Sequence, residues 1–220
     1  MKTSPIRCAR ALVVAAVAFA TCLSHAQGPA AAVAAGPAGT NPGDVKITKL
    51  SDLSHDYQQK AKSIDGKTSQ KSRVWGVFDV TFQTVPQWID SMTITYTVIL
   101  LNPKADAKKG EKPMTLMQTT VEYADVAQDR EHKAGAVVLP AALLRLGEPL
   151  GFAVSISVGG KEVASQGVGK GPLQSHKEWW KDSAILDHPN VQRRDAYMMD
   201  RMKSPFQLVD PDSYELSASR

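Results

Sequence analysis

The chain has 220 residues, 22% of them charged, with 26 Lys+Arg against 22 Asp+Glu. Three of the basic residues, Lys2, Arg7 and Arg10, stand in the first ten, so the rest is close to neutral at 23 against 22, which leaves no basic field for nucleic acid. Both cysteines, Cys8 and Cys22, also lie within the first 26 residues, so residues 27–220 can form no disulfide framework, thiol nucleophile or cysteine metal site.

Residues 1–26 read as a signal peptide. A basic start leads into the 13-residue apolar run ALVVAAVAFATCL (11–23), and Ser24 and Ala26 are the small residues that precede a cleavage site. The run is too short to span a bilayer as a helix. Cleavage before Gln27 would leave 194 residues (220 − 26), with no transmembrane segment. Cys22 raises lipidation as an alternative, but Thr21 and Phe19 stand where a lipobox carries a small residue and Leu. Residues 27–43 are rich in Ala, Gly and Pro, with no charge and no large side chain. Such a stretch buries too little to offset its ordering entropy and reads as a linker, either a tether or an N-terminus with no role.

From residue 44 to 172 the pattern is that of strands. VKITKL (45–50) reads as an edge strand. Residues 53–71 read as a polar loop with a helical turn over 57–62 and a turn at Asp65-Gly66. SRVWGVFDVTFQTVPQWIDSMTITYTVILL (72–101) reads as two strands parted by Pro86, which lacks a ladder donor. In the first, Gly76, Phe78, Val80 and Phe82 share a face. Trp75 falls out of that phase, on the face expected under the C-terminal segment. In the second, Met92, Ile94, Tyr96, Val98 and Leu100 oppose Thr93, Thr95, Thr97 and Ile99. Apolar residues alternating with threonine predict a strand buried on one side. A charged connector (102–113), a strand over 114–126, a turn at Gln128-Asp129-Arg130 and a strand over 131–140 come next. PAALLRLGEP (140–149) changes period, with Pro140 suited to a helix start and Gly147 to its stop. GFAVSISV (151–158) and KEVASQGVG (161–169) flank Gly159-Gly160, a hairpin signal. Seven strands with a single short helix predict an all-β, immunoglobulin-like antiparallel sandwich.

Residues 173–220 differ. Trp179, Trp180 and several methionines predict a segment that packs across the sandwich, with a helix over 191–203 capped by Asn190 and an extended tail after Ser204-Pro205.

Motifs for chemistry are missing. There is no G-x-S-x-G and no H-E-x-x-H, and His55, His132, His176 and His188 are dispersed. GVGKGP (167–172) lacks the first glycine of a phosphate loop, and Gly171 replaces its Ser or Thr. The acidic pairs Asp187/Asp195 and Asp210/Asp212 read as solvated. No catalytic, cofactor-binding or metal-ligating residue is therefore expected, and no enzyme. The candidates for interaction are Trp88, Trp179, Trp180, Arg193, Arg194, Met198, Met199 and Met202, since aromatic, Arg and Met side chains favour interfaces. An alternative is a module for surface glycans, which requires at least two of Trp88, Trp179 and Trp180 exposed in one plane.

Taken together, the leader, the linker, SRVWGVFDVTFQTVPQWIDSMTITYTVIL, GAVVLPAALLRLGEP, GFAVSISVGG and the terminal SPFQLVDPDSYE resemble a small family of secreted immunoglobulin-like proteins, over residues 44–216. That family is encoded beside type IV pilus assembly components in Gram-negative bacteria. The resemblance implies a β-sandwich without catalytic residues, in the periplasm or at the cell surface. It implies a structural or adaptor role through contacts with other pilus or secretion-complex proteins, or with itself. The chain departs from true pilins, because its mature start is a polar linker where a pilin has a long apolar helix.

Overall fold

Alternation of oily and threonine side chains sets the two sheets of this protein. The computed structural model describes residues 41–54, 56–61, 73–129 and 131–218, all within one compact unit, residues 36–220. The signal segment with Cys22, the linker up to Thr40, His55, the Asp65-Gly66 turn and Arg130 lie outside the described residues.

In chain order the elements are β1 (Val45–Leu50), β2 (Gln58–Lys60), β3 (Val74–Thr84), β4 (Trp88–Leu101), β5 (Met114–Ala127), β6 (His132–Val138), α1 (Pro140–Leu146), β7 (Glu148–Val158), β8 (Lys161–Gly169), α2 (Ser183–Leu186), β9 (Val191–Arg193) and β10 (Met198–Asp200). One sheet runs β1-β3-β6-β10, with β2 also on β3; the other runs β8-β7-β4-β5-β9. All pairings are antiparallel except β5 with β9. The seven longer strands are those the alternation marks, and the immunoglobulin-like sandwich follows from them.

The core lies between the sheets. Phe78, Val80 and Phe82 of β3 and Met92, Ile94, Tyr96, Val98 and Leu100 of β4 are fully buried. Phe78 of β3 meets Phe152 of β7 at 5.1 Å between ring centroids, joining the layers. The helix α1 carries the chain from one sheet to the other, with Pro140 at its start. It stops at Gly147, whose φ of 96° suits glycine; a Cβ there would stand 2.0 Å from the Leu101 carbonyl oxygen. Gly159 and Gly160 turn β7 into β8 with φ of 57° and 77°.

Three short strands depart from the sequence reading. Residues 58–60 form β2 where a helical turn was expected, because β3 offers them an open edge. The expected helix over 191–203 is instead β9, a 3₁₀ turn (195–197), β10 and a second 3₁₀ turn (201–203). Its residues complete ladders: β9 pairs with Met114–Leu116 and β10 with Ala136–Val138. Open ladder groups elsewhere in the fold decide the conformation over local helix propensity.

The outer faces are covered by the C-terminal segment. On the β4–β5–β7 face, Ile99, Leu116, Leu150 and Ala153 pack with Leu173, Trp179 and Val191. On the β3–β6 face, Val77 and Val137 pack under Phe206, with Trp75 and Met199 beside them. The tail then stitches the sheets together. The Glu215 N–H donates to the Lys133 carbonyl (2.8 Å) of one sheet, and the Ala218 N–H to the Glu122 carbonyl (2.7 Å) of the other. On the opposite side, β1 and β8 end their sheets. β1 has a register shift between Ile47 and Lys49, and β8 has one opposite Ile156/Ser157. Such bulges discourage pairing with a foreign strand.

Candidate interaction surfaces

The three tryptophans proposed for contact separate in the fold. Trp88 opens β4 opposite Ala127 and is 55% exposed, with Val85 at 58% in the turn before it. Trp179 is buried at 1%, and Trp180 is half-buried. Their rings meet edge to face at 5.9 Å and 86°. This pair therefore provides no flat platform for a sugar ring, and Trp88 alone of the three stands in solvent. Two glycines make the seats. A Cβ on Gly151 would lie 2.6 Å from Trp179, and one on Gly167 would lie 2.3 Å from Trp180.

The methionines are anchors. Met198 lies in the main core, Met199 packs on the outer cluster beneath Phe206, and Met202 is half-buried. The alternation of Met198 and Met199 between the two sides follows from their lying in a strand. Arg193 is exposed, 3.8 Å from Asp187. Arg194 lines a polar cleft of about 250 Å³ with Arg145 of α1, Lys112, Glu111, Thr115 and Gln192. The Lys112 Nζ donates to the Val191 carbonyl (3.1 Å), and Gln192 Nε2 donates to Thr115 Oγ1 (3.0 Å). The exposed guanidinium groups of Arg145 and Arg194 add their positive charge to that of Lys112 in the cleft.

A half-buried polar cluster, which the sequence reading missed, locks the tail to the β3–β6 face. The Tyr214 hydroxyl donates to Asp79 Oδ2 (2.9 Å), and the Asp79 N–H donates to Ser51 Oγ (2.8 Å). The Arg201 guanidinium lies 3.5 Å above the Tyr214 ring, and its Nη2 donates to the Val209 carbonyl. Asp79 Oδ1 faces Gly135, where a Cβ would come within 2.4 Å. Burial pushes the Asp79 carboxyl above its ordinary range, although the Tyr214 bond and the charges of Arg201 and Lys133 pull the other way. Burial, followed by the Asp79 charge, pushes the Tyr214 phenol up to about 12. Nearby, His132 stacks on Phe82 and shares its ring nitrogens between Glu215 Oε1 (2.6 Å) and Thr84 Oγ1 (2.9 Å). Each of these groups is engaged in holding a strand or the tail. Among the described residues no set of three or more His, Cys, Asp or Glu could hold a metal ion, and no helix is long and apolar enough to cross a membrane.

The fold and these surfaces define a β-sandwich clamped by its own C-terminal segment, with Trp88, Arg193 and Arg194 exposed on its surface. The profile of one protein family, a pilus-associated one, matches residues 40–220, and the chain belongs to that family. A crystal structure from Akkermansia muciniphila is similar in fold: its TM-score is 0.61 at 19% identity, over 80% of this chain and 94% of that one. A β-D-glucoside glucohydrolase from Trichoderma reesei overlaps 57% of this chain and 18% of its own at a TM-score of 0.24 and 12% identity, too low for a shared architecture. No curated protein matches the chain in sequence.

Proposed function

We propose that this protein is a non-enzymatic structural or adaptor component of a type IV pilus-like assembly, exported by residues 1–26 and acting in the periplasm or at the surface of a Gram-negative cell. In this reading residues 27–43 are a tether, 44–172 build the sandwich and 173–220 clamp it. Membership of a pilus-associated family that is not a family of enzymes supports it. The observation that carries the contact itself is the Trp88–Val85 corner: large apolar side chains standing in solvent on a rigid strand end. Exposed aromatic residues at such positions are the usual anchors of protein interfaces. Arg193 and Arg194, also exposed, would supply charged contacts. Met198, Met199 and Met202 serve the interface indirectly by holding the clamp.

The test is co-purification from the native host using tagged wild type and Trp88→Glu. Pilus-assembly proteins should come down with the wild type and be lost from the variant. Recovery of the same partners by both would remove Trp88 from the contact, and recovery of no assembly protein by the wild type would remove the pilus reading. Deleting the C-terminal segment is not a suitable control, because its side chains belong to the buried clusters.

A further inference from the structure

Two features on different parts of the chain complement each other and are not used together within one copy. The first is the polar cleft between α1, the β4–β5 connector and β9. Lys112, Arg145 and Arg194 against Glu111 give its lining a net charge of +2 (3 − 1). Among the described residues neither the Arg145 nor the Arg194 guanidinium forms an ion pair, whereas Arg193 next door does so with Asp187.

The second is the corner Leu208-Val209-Asp210-Pro211-Asp212. Leu208 is 68% and Val209 44% exposed, and both aspartates are exposed. The corner is held rigid from below. The Val209 carbonyl accepts from Arg201, and the Val209 N–H donates to the Phe206 carbonyl (3.0 Å). The Ser213 N–H donates to the Asp210 carbonyl (3.2 Å), and Phe206 itself is buried. Asp210 sits at φ 52°, a left-handed conformation that Asp adopts more readily than most residues. An exposed apolar pair and two carboxylates are thus presented in a fixed shape, so little ordering entropy remains to be lost on binding.

We infer that the Arg145–Arg194 cleft is a socket for the Leu208–Asp212 corner of a second copy of this chain. The carboxylates of Asp210 and Asp212 meet the two guanidinium groups. Arginine suits this role because its planar fork matches a carboxylate. Socket and corner are different patches, so the contact is heterologous and propagates head to tail instead of closing into a pair. A corner of five residues buries well under the roughly 1,000 Å² of a stable interface. The contact is therefore weak, and matters where copies are held at high local concentration, as along an appendage. It uses neither Trp88 nor Val85, so it stands or falls separately from the partner contact proposed above.

The experiment is sedimentation velocity on the chain from residue 27 onward, at concentrations up to about 1 mM, in low salt and in 0.5 M salt (about 4 Å screening length). The wild type should gain mass with concentration, and salt should weaken this at least about tenfold. A socket variant, Arg145→Gln with Arg194→Gln, and a corner variant, Asp210→Asn with Asp212→Asn, should each stay monomeric. Asn tolerates the left-handed backbone at 210, and melting curves matching wild type establish that both variants fold. An equimolar mixture of the two should form pairs and nothing longer, since one intact socket and one intact corner remain. A wild type that stays monomeric throughout, a variant that associates like wild type, or a mixture without pairs overturns the inference.

Discussion

The Tyr214 hydroxyl reaches Asp79 Oδ2 at 2.9 Å across 135 positions of chain, tying the tail to the middle of β3. This bond sits in a site that disfavours charge, and burial raises the Asp79 carboxyl above its ordinary value of 3.8. An acid with a raised folded-state value holds its proton longer in the folded chain than in the unfolded one. Stability therefore falls as pH rises from the ordinary carboxylate range through the raised value, and the contribution is fully present only below the ordinary value of 3.8. Asp79→Asn removes the titration while keeping a carbonyl to accept from Tyr214. The variant should be at least as stable as wild type at pH 7 and lose that advantage near pH 4. Thermal melts across this range check it, and an advantage that grows as the pH falls would contradict the burial argument. The facing cations, Arg201 and Lys133, set how large the gap becomes.

The hydroxyls of Tyr96 on β4 and Tyr123 on β5 meet at 3.0 Å in the core. Burial first, and then the neighbouring phenol, holds Tyr96 far above the ordinary tyrosine range. Burial likewise holds Tyr123 well above it. Tyr96→Phe leaves the Tyr123 hydroxyl buried without this partner and should cost about 1–2 kcal/mol, read by denaturant unfolding. In an alkaline titration followed by tyrosinate absorbance, these two should ionise only on unfolding, and Tyr214 should titrate near 12. A pair that ionises with the exposed phenols would contradict their burial.

Most of the sandwich was legible because β4 writes its burial in period two: Met92, Ile94, Tyr96, Val98 and Leu100 inward, Thr93 and Thr95 outward. The same code misleads at Ile99, which belongs to the outer face yet is fully buried, because Trp179 and Leu173 roof it. No local pattern announces a roof supplied seventy or more residues later. Residues 191–203 misled for the opposite reason. Val191, Met198, Met199 and Met202 are spaced like a helix stripe, but the ladder groups they satisfy belong to β5 and β6. The cluster of Asp79, Arg201 and Tyr214 was invisible as a unit, since its members are spread across the chain. For the contact candidates, residue type could nominate three tryptophans but could not rank them. Trp88 is exposed because it overhangs the end of the sheet, and Trp179 is buried because Gly151 leaves it a notch.

Those notches can be tested by filling them. A Cβ at Gly167 would stand 2.3 and 2.4 Å from ring carbons of Trp180, closer than real contacts allow. Gly167→Val should lift Trp180 off the sheet, shift tryptophan emission to the red and cost about 1–3 kcal/mol. Trp179→Ala, which empties a buried site beside Leu173 and Ile185, should cost more, about 3–5 kcal/mol. If the two variants proved equally mild, the roof over Ile99 would contribute little to the fold.

The clamp decides what the sandwich can do without its C-terminus. Ending the chain after residue 172 removes Trp179, Val191, Met198 and Phe206. It also strips β5 and β6 of the short strands that pair with them. Apolar faces on both outer surfaces would then meet water, at roughly 1.5–3 kcal/mol for each large side chain uncovered. That sum exceeds the margin by which domains of this size are stable, so the product should fail to fold. Ending after Val209 is a finer cut. It spares both short strands and the Arg201 bond to Val209, but removes Tyr214, Glu215 and Ser217. Asp79 loses its donor, His132 loses its carboxylate partner, and the stitch from Lys133 to Glu122 opens. The cost should be about 2–4 kcal/mol, visible as a lower denaturation midpoint, with the sandwich still formed by far-ultraviolet circular dichroism. A fully stable protein ending at 172 would mean that the outer layers ride on the sandwich without supporting it.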